Sequence, residues 1–450
     1  MRIVIVGNGI AGITAARHIR KQSDVEIVVI SKETDHFFSR TALMYVYMGH
    51  QQYHHLKPYE DWFWDKNRIN LYRATVENID FSQKTITLSA DSYQVTYTPS
   101  LLERLTKVAP KHTNKQAITS KVLTYDKLIL ATGSVPRMGD WEGQSLSGVQ
   151  GLYSYQDLEL LEKNTAGISK AVIVGGGLIG VELAEMLHTR HIEVTMLVRE
   201  KSYWSSVLPK EESNLVTKHI QKRGIDLRFN TKLKAIRGQR CVERVETSQG
   251  ERIDCQLVGL AIGVVPNISF LSSNTTALYL NKGIVVNKYL ETNLSDVYAI
   301  GDCVEHQQPP EGRKSIEQIW YTGRIMGETV AQTICGNRTA YQPGVFFNSA
   351  KFFDLEYQTY GEVPASLPEG VSTFCWQHPT KEVLIRINYD SKSGAVLGFN
   401  ALGTRLRHAV CEGWIKEKRA IEEVLTNFQQ ANFDPEFFEK YTLSHTSPSL

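Results

Sequence analysis

The sequence predicts an α/β protein with two doubly wound, parallel-sheet domains and a third, α+β domain at its C-terminal end. Three observations carry this reading. Ile3-Val4-Ile5-Val6 runs into Gly7-Asn8-Gly9-Ile10-Ala11-Gly12 and a helix, and a second apolar strand follows at Val25-Glu26-Ile27-Val28-Val29-Ile30. Residues 170–200 repeat the unit: Ala171-Val172-Ile173-Val174, then Gly175-Gly176-Gly177-Leu178-Ile179-Gly180, a helix, and Val194-Thr195-Met196-Leu197-Val198. After residue 345 the pattern becomes strand-like, through Val383-Leu384-Ile385-Arg386-Ile387 and Val396-Leu397-Gly398-Phe399, and ends in helices over 403–424. Short apolar runs bounded by glycine turns and helices are strands buried on both faces, as in a parallel sheet.

Each part of the repeated unit has a physical reason. Gly7 and Gly175 permit the tight turn, Gly9 and Gly177 let backbone approach a pyrophosphate, and Gly12 and Gly180 let helix pack on strand. The helix N-terminus then meets the phosphate charge. One GxGxxG is a weak signal; two, each following a strand and opening a helix, are strong. At the end of the second strand a carboxylate accepts from a ribose 2′-OH, whereas an arginine meets a 2′-phosphate. In the second unit that place holds Val198-Arg199, with Glu200 and Lys201 next, so the pattern leans to NADPH over NADH.

Between the units, 73–80 (with Val76) and 84–88 alternate like antiparallel strands. Residues 98–121 interrupt them with a basic insertion bearing Arg104, Lys107, Lys111, Lys115 and Lys121. A solvated helix and loop is one reading, a docking site for an acidic protein the other.

Composition excludes other classes. In 450 residues, 42% are apolar and 22% charged, which is ordinary for a globular protein of two or three domains. Lys and Arg number 50 against 48 Asp and Glu, and a net charge of +2 is too small for a general nucleic-acid binder. No apolar run approaches the ~20 residues that span a bilayer. The opening strand leaves no room for an export or transit segment. The six cysteines all lie at or after Cys241, without CxxC or metal spacing. A cytoplasmic protein without metal is expected, its thiols acting as small hydrophobes.

Over residues 1–345 the chain resembles the two-dinucleotide-domain flavoproteins related to glutathione reductase. Four motifs carry the resemblance in order: Gly7-x-Gly9-x-x-Gly12; Tyr125-Asp126-x-Leu128-x-x-Ala131-Thr132-Gly133-x-x-Pro136; Gly175-x-Gly177-x-x-Gly180; and Thr292-x-x-x-x-Val297-Tyr298-Ala299-Ile300-Gly301-Asp302. A weaker fifth is Ala261-Ile262-Gly263-Val264-Val265-Pro266-Asn267. The segment 343–361 is similar to the start of the C-terminal domain in NADH oxidases and rubredoxin or ferredoxin reductases.

The resemblance implies two Rossmann-like domains, one for FAD over 1–150 and 285–342 and one for NAD(P)H over 151–284, with the α+β domain over 343–450. FAD would meet Gly7, Gly9, Gly12, Glu33 at the adenosine ribose, Arg40, Val76, Ala131, Thr132, Gly133, Gly301 and Asp302, the last at the ribityl chain. Ser31 stands where the commoner ribose acid would be. The nicotinamide nucleotide would meet Gly175, Gly177, Gly180, Arg199 and Gly263. The helix at Glu317-Gln318-Ile319-Trp320-Tyr321 matches one aimed at the flavin pyrimidine, where its N-terminus favours negative charge. Glu182 matches a glutamate near both rings, and Tyr45 stands where ferredoxin-reductase relatives keep a lysine paired with it. Glu182, Tyr45 and Trp320 are therefore the expected catalytic residues.

Disulfide-reducing relatives carry CxxxxC, and oxidase relatives one cysteine, where this chain has the cysteine-free stretch 37–49. Cys303, next to Asp302, is the one thiol beside a flavin motif, within reach of the isoalloxazine or ribityl chain. The implied activity is hydride transfer from NAD(P)H to flavin N5, then electron delivery to a second acceptor, first an acidic carrier protein of the rubredoxin or ferredoxin type. NAD(P)H oxidase and small-molecule or quinone reductase activity are alternatives. So is an interaction role like that of apoptosis-inducing-factor relatives, docking through 98–121 and Phe433-Asp434-Pro435-Glu436-Phe437-Phe438. Neither nucleic acid nor membrane is an expected partner, and a homodimer stays open.

Overall fold

A computed structural model describes residues 1–97, 114–118, 120–272, 277–433, 439–441 and 443. The chain divides into two compact units. The first comprises Met1–Val135, Tyr153–Glu159 and Val264–Pro343; the second comprises Pro136–Leu152, Leu160–Gly263 and Gly344–Leu450.

The first unit is built on a seven-stranded sheet. Five strands are parallel, in the order Val297–Ala299, Lys127–Leu130, Arg2–Val6, Glu26–Ser31 and Ile69–Arg73. Ile3, Val4 and Ile5 are completely buried, as strands covered on both faces must be. Each such side chain contributes about 1.5–3 kcal/mol. Helix Ile10–Gln22 lies against helix Trp320–Ile334 at very close range, because a Cβ on Gly327 would stand 2.5 Å from the Ala11 carbonyl oxygen.

At one edge the sheet continues with antiparallel strands Tyr93–Thr96 and Asn114–Ala117. This corrects the helix-and-loop reading of the basic insertion at its C-terminal side. A sheet edge offers open hydrogen-bonding groups, and the returning chain pairs with them. Lys115 lies over the Tyr93 ring at 4.6 Å and Lys121 donates to the Ser92 carbonyl at 3.1 Å. Arg104, Lys107 and Lys111 lie outside the described residues, as do residues 434–438 of the aromatic tail.

The second unit repeats the parallel design in the order Val149–Gln150, Leu257–Leu260, Lys170–Val174, Glu193–Leu197 and Asp226–Arg228. Beside a small antiparallel sheet of Leu233–Arg237, Arg244–Thr247 and Arg252–Asp254, it holds a five-stranded antiparallel one in the order Phe347–Phe352, Leu355–Gly361, Val396–Leu402, Leu384–Asp390 and Val371–Gln377. Helices His408–Lys416 and Ile421–Thr426 back this sheet around Tyr360, Ile387, Phe399 and Phe428.

The unit boundaries differ from those expected. Val149–Gln150 pairs with Leu257–Leu260 and so belongs with the second sheet, while Leu271 and Leu278 pack in the first core. The C-terminal sheet is fastened to helix Lys210–Lys222 by charge rather than standing apart. Arg386 donates to Glu212, which is completely buried, at 2.6 and 3.0 Å, and to Glu211 at 2.5 Å. His219 sits between Glu382 (Nδ1, 2.6 Å) and Asp354 (Nε2, 3.0 Å).

Candidate functional site

The two glycine turns are the same object built twice. Gly7 (φ +117°) and Gly175 (φ +122°) adopt a conformation that favours glycine, and a Cβ on them would meet the Ala131 and Ala261 carbonyl oxygens at 2.0 and 2.2 Å. A Cβ on Gly12 or Gly180 would strike the carbonyl of Gly7 or Gly175 at 2.1 or 2.5 Å. Gly9 and Gly177 differ: nothing lies within 4 Å of their Cβ positions. Both are N-caps without a capping side chain, so first-turn N–H groups face open space beside backbone that approaches closely. This is a pyrophosphate cradle, and the residues present fit FAD in the first unit and a nicotinamide nucleotide in the second.

Around the first cradle, Ser31 accepts from the Glu33 amide at 3.2 Å, so the residue at the commoner ribose position holds the turn. Glu33 receives both arms of Arg40, at 2.7 and 2.6 Å, and the Tyr155 amide at 2.9 Å. Burial opposes the Arg40 charge, but the Glu33 pair outweighs it and holds the guanidinium above its ordinary pKa. Thr132 and Asn267 bond reciprocally, Thr132 Oγ1 donating at 2.8 Å and Asn267 Nδ2 at 3.2 Å. Gly133 (φ +70°) and Gly301 (φ +77°) turn the chain next to Asp302. Asp302 accepts from the Tyr153 hydroxyl at 3.1 Å. Burial pushes its carboxyl above the usual range, although Tyr153, Ser134 and the Arg40 charge pull the other way. A half-buried carboxylate with spare acceptor capacity suits ligand hydroxyls.

Ser134 receives Gln318 Nε2 at 2.7 Å, which ties this cluster to the segment leading into helix Trp320–Ile334. That helix also starts without a capping side chain. Trp320 stands edge-on to Tyr321 at 5.3 Å. Tyr45, on helix Leu43–Tyr47, stacks against His50 at 6.2 Å. Val76 packs half-buried against the first core.

The expected approach of Cys303 to a flavin is not what the fold provides. Its thiol is completely buried and donates to the Ile300 and Leu130 carbonyls at 3.3 and 3.6 Å. Burial raises its pKa. Asp302 and Cys303, neighbours in one short turn, thus meet different partners: the Tyr153 hydroxyl for the first, backbone carbonyls for the second. Cys303→Ser should therefore leave steady-state turnover within a few-fold of wild type, and a large loss would show that the thiol takes part.

In the second unit, Gly263 (φ +108°) also has nothing within 4 Å of its Cβ position. Val198 is completely buried, while the Arg199 side chain is 76% exposed and touches Glu200 at 3.1 Å. Glu182, half-buried on helix Leu178–His188, has no cation or hydrogen-bond donor among the described residues. Burial, then Glu185, raises its carboxyl to about 7. Tyr203, completely buried, donates to the Gly177 carbonyl at 2.8 Å. Sequence reasoning missed Tyr153 and Tyr203, which belong to no motif, and Ser134, Asn267 and Gln318, which stood in motifs without a role.

The family model described as pyridine nucleotide-disulphide oxidoreductase matches residues 1–327. An NADH oxidase of Methanocaldococcus jannaschii is 30% identical over 361 residues, covering 79% of this chain and 75% of its own. A rubredoxin-NAD(+) reductase of Ectopseudomonas oleovorans is 28% identical, with 79% and 86% covered. Among solved structures, an NAD-dependent persulfide reductase from A. fulgidus superposes with a TM-score of 0.79 at 24% identity, over 97% of this chain and 80% of that one.

Proposed function

Because the chain belongs to the pyridine nucleotide-disulphide oxidoreductase family, we propose that it takes electrons from NADPH and delivers them to an acidic electron-carrier protein. It is a flavoprotein oxidoreductase that uses FAD and a nicotinamide nucleotide. Bound FAD supplies a two-electron hydride acceptor that gives up electrons singly or in pairs.

The observation that carries the reading is the doubled cradle, closed at Gly7, Gly12, Gly175 and Gly180 and open at Gly9 and Gly177. The residues' tasks follow from their surroundings. The amides after Gly9 and Gly177 hold two pyrophosphates, Asp302 accepts from ribityl hydroxyls, and Glu33 with Arg40 flanks the adenosine end. The uncapped start of helix Trp320–Ile334 favours negative charge on the reduced ring. Stretch 37–49 has no cysteine to pass electrons to a disulfide. A carrier protein is supported by the rubredoxin-reductase relative; molecular oxygen is the second reading, supported by the NADH-oxidase relative. Among the described residues no helix is long and apolar enough to cross a membrane.

Anaerobic titration tests the scheme. NADPH should be consumed at two electrons per FAD, with no thiolate charge-transfer band and no new titratable thiol. Four-electron uptake would return the protein to disulfide chemistry. Turnover against added rubredoxin or ferredoxin, compared with oxygen consumption, identifies the acceptor.

NADPH preference rests on Arg199, whose exposed guanidinium follows the buried Val198 where a ribose-binding acid would stand. Arg199→Glu should lower the NADPH/NADH ratio of kcat/KM by roughly tenfold or more, since it removes a phosphate partner and adds a hydroxyl acceptor. An unchanged ratio would show that Arg199 does not meet the ribose.

A further inference from the structure

We propose that Tyr153 is a positioning residue for FAD: its hydroxyl proton is committed to Asp302 and its ring to Arg40, so that one side chain orients two charged groups of the site. The inference rests on the FAD reading above and goes beyond it, because no motif contains Tyr153.

The Ser134 amide points at the Tyr153 hydroxyl oxygen at 3.2 Å, and an amide N–H can only donate. The hydroxyl therefore accepts there, and its one proton is left for Asp302 Oδ2 at 3.1 Å. The backbone of Tyr153 is fixed as well. Its N–H donates to Asp157 Oδ2 at 2.9 Å and its carbonyl accepts from Arg40 Nη1 at 2.7 Å. The Arg40 guanidinium lies 4.5 Å from the ring centroid, a cation–π contact. Gly133 stands close by: a Cβ there would lie 3.4 Å from the Tyr153 hydroxyl.

Two consequences follow. A donated hydrogen bond favours the ionised form of a carboxylate that burial disfavours. The ionised form is the better acceptor for ligand hydroxyls. The groups that bear on Asp302 are Tyr153, Ser134 and Cys303, with Arg40 and, through it, Glu33. Without the hydroxyl, Asp302 should take up its proton at higher pH and release FAD there. The ring, in turn, covers the Arg40 guanidinium while both of its arms serve Glu33.

The test compares wild type, Tyr153→Phe and Tyr153→Leu by recovery of flavin fluorescence during acid titration of the holoprotein. Tyr153→Phe keeps the ring and loses the proton. It should release FAD about one pH unit higher and bind it roughly tenfold more weakly at neutral pH. Tyr153→Leu should lose more, at every pH, because Arg40 loses its cover. In an Asp302→Asn background the pH dependence should shrink and Tyr153→Phe should no longer move the midpoint. A Tyr153→Phe midpoint equal to wild type, or an equal shift in the Asp302→Asn background, would overturn the proposal. Wild-type protein that binds no FAD would instead overturn the functional reading.

Discussion

Replacing Arg386 with methionine is expected to destabilise the second unit by about 3–5 kcal/mol, the usual result of stripping a buried carboxylate of its cation. Glu212 is completely buried, and besides the two contacts from Arg386 it receives only Asn400 Nδ2, at 3.4 Å, among the described residues. Methionine fills most of the space but cannot neutralise the charge. The double variant Arg386→Met with Glu212→Leu should recover most of the loss, because a buried ion pair and a packed apolar pair are often similar in free energy. Urea denaturation of the three proteins checks this. A loss below ~1 kcal/mol in the single variant would mean that Glu212 reaches solvent.

Asp302→Ala is expected to yield a colourless protein. Its FAD affinity should fall by roughly ten- to a hundredfold, as the loss of charge-assisted hydrogen bonds worth ~1.5–3 kcal/mol requires. The apoprotein should behave in the opposite sense. Burial raises the Asp302 pKa, so the folded state binds its proton more tightly than the unfolded state. Ionisation therefore costs the apo fold stability as pH rises from the unfolded pKa through the raised folded one, and nothing below that window. At neutral pH the alanine variant's apo form should thus melt no lower than wild-type apoprotein, while its FAD is lost. Full flavin occupancy in the variant, read from the visible spectrum, would sink the assignment.

The parts of this fold that the sequence makes legible are local ones. Gly7 and Gly175 announce their turns because their φ angles and the Ala131 and Ala261 carbonyls admit little else. The hidden parts depend on segments distant in sequence. Tyr153 belongs to the short return Tyr153–Glu159, surrounded in sequence by the other unit. Glu33 and Arg40 are each assigned by the resemblance, yet nothing in their spacing says that one takes the fork of the other. Strand Asn114–Ala117 is too polar for its pattern to announce it, and only the neighbouring edge makes it a strand. Adjacency in sequence sets Cys303 beside the flavin motif but does not give the direction of its side chain. The charged seam between helix Lys210–Lys222 and the C-terminal sheet is invisible for a simpler reason: neither strand Leu384–Asp390 nor that helix looks unusual alone.

That seam also orders events during synthesis. Glu212 leaves the ribosome 174 residues ahead of Arg386, an interval of about ten to thirty-five seconds at ordinary translation rates. Until strand Leu384–Asp390 arrives, Glu212 has no buried cation, and its helix surface must stay hydrated. The first unit, whose last segment ends at Pro343, is by then fully translated. Every segment of the first unit is therefore synthesised before the ion pair that fastens the C-terminal sheet to helix Lys210–Lys222 can close.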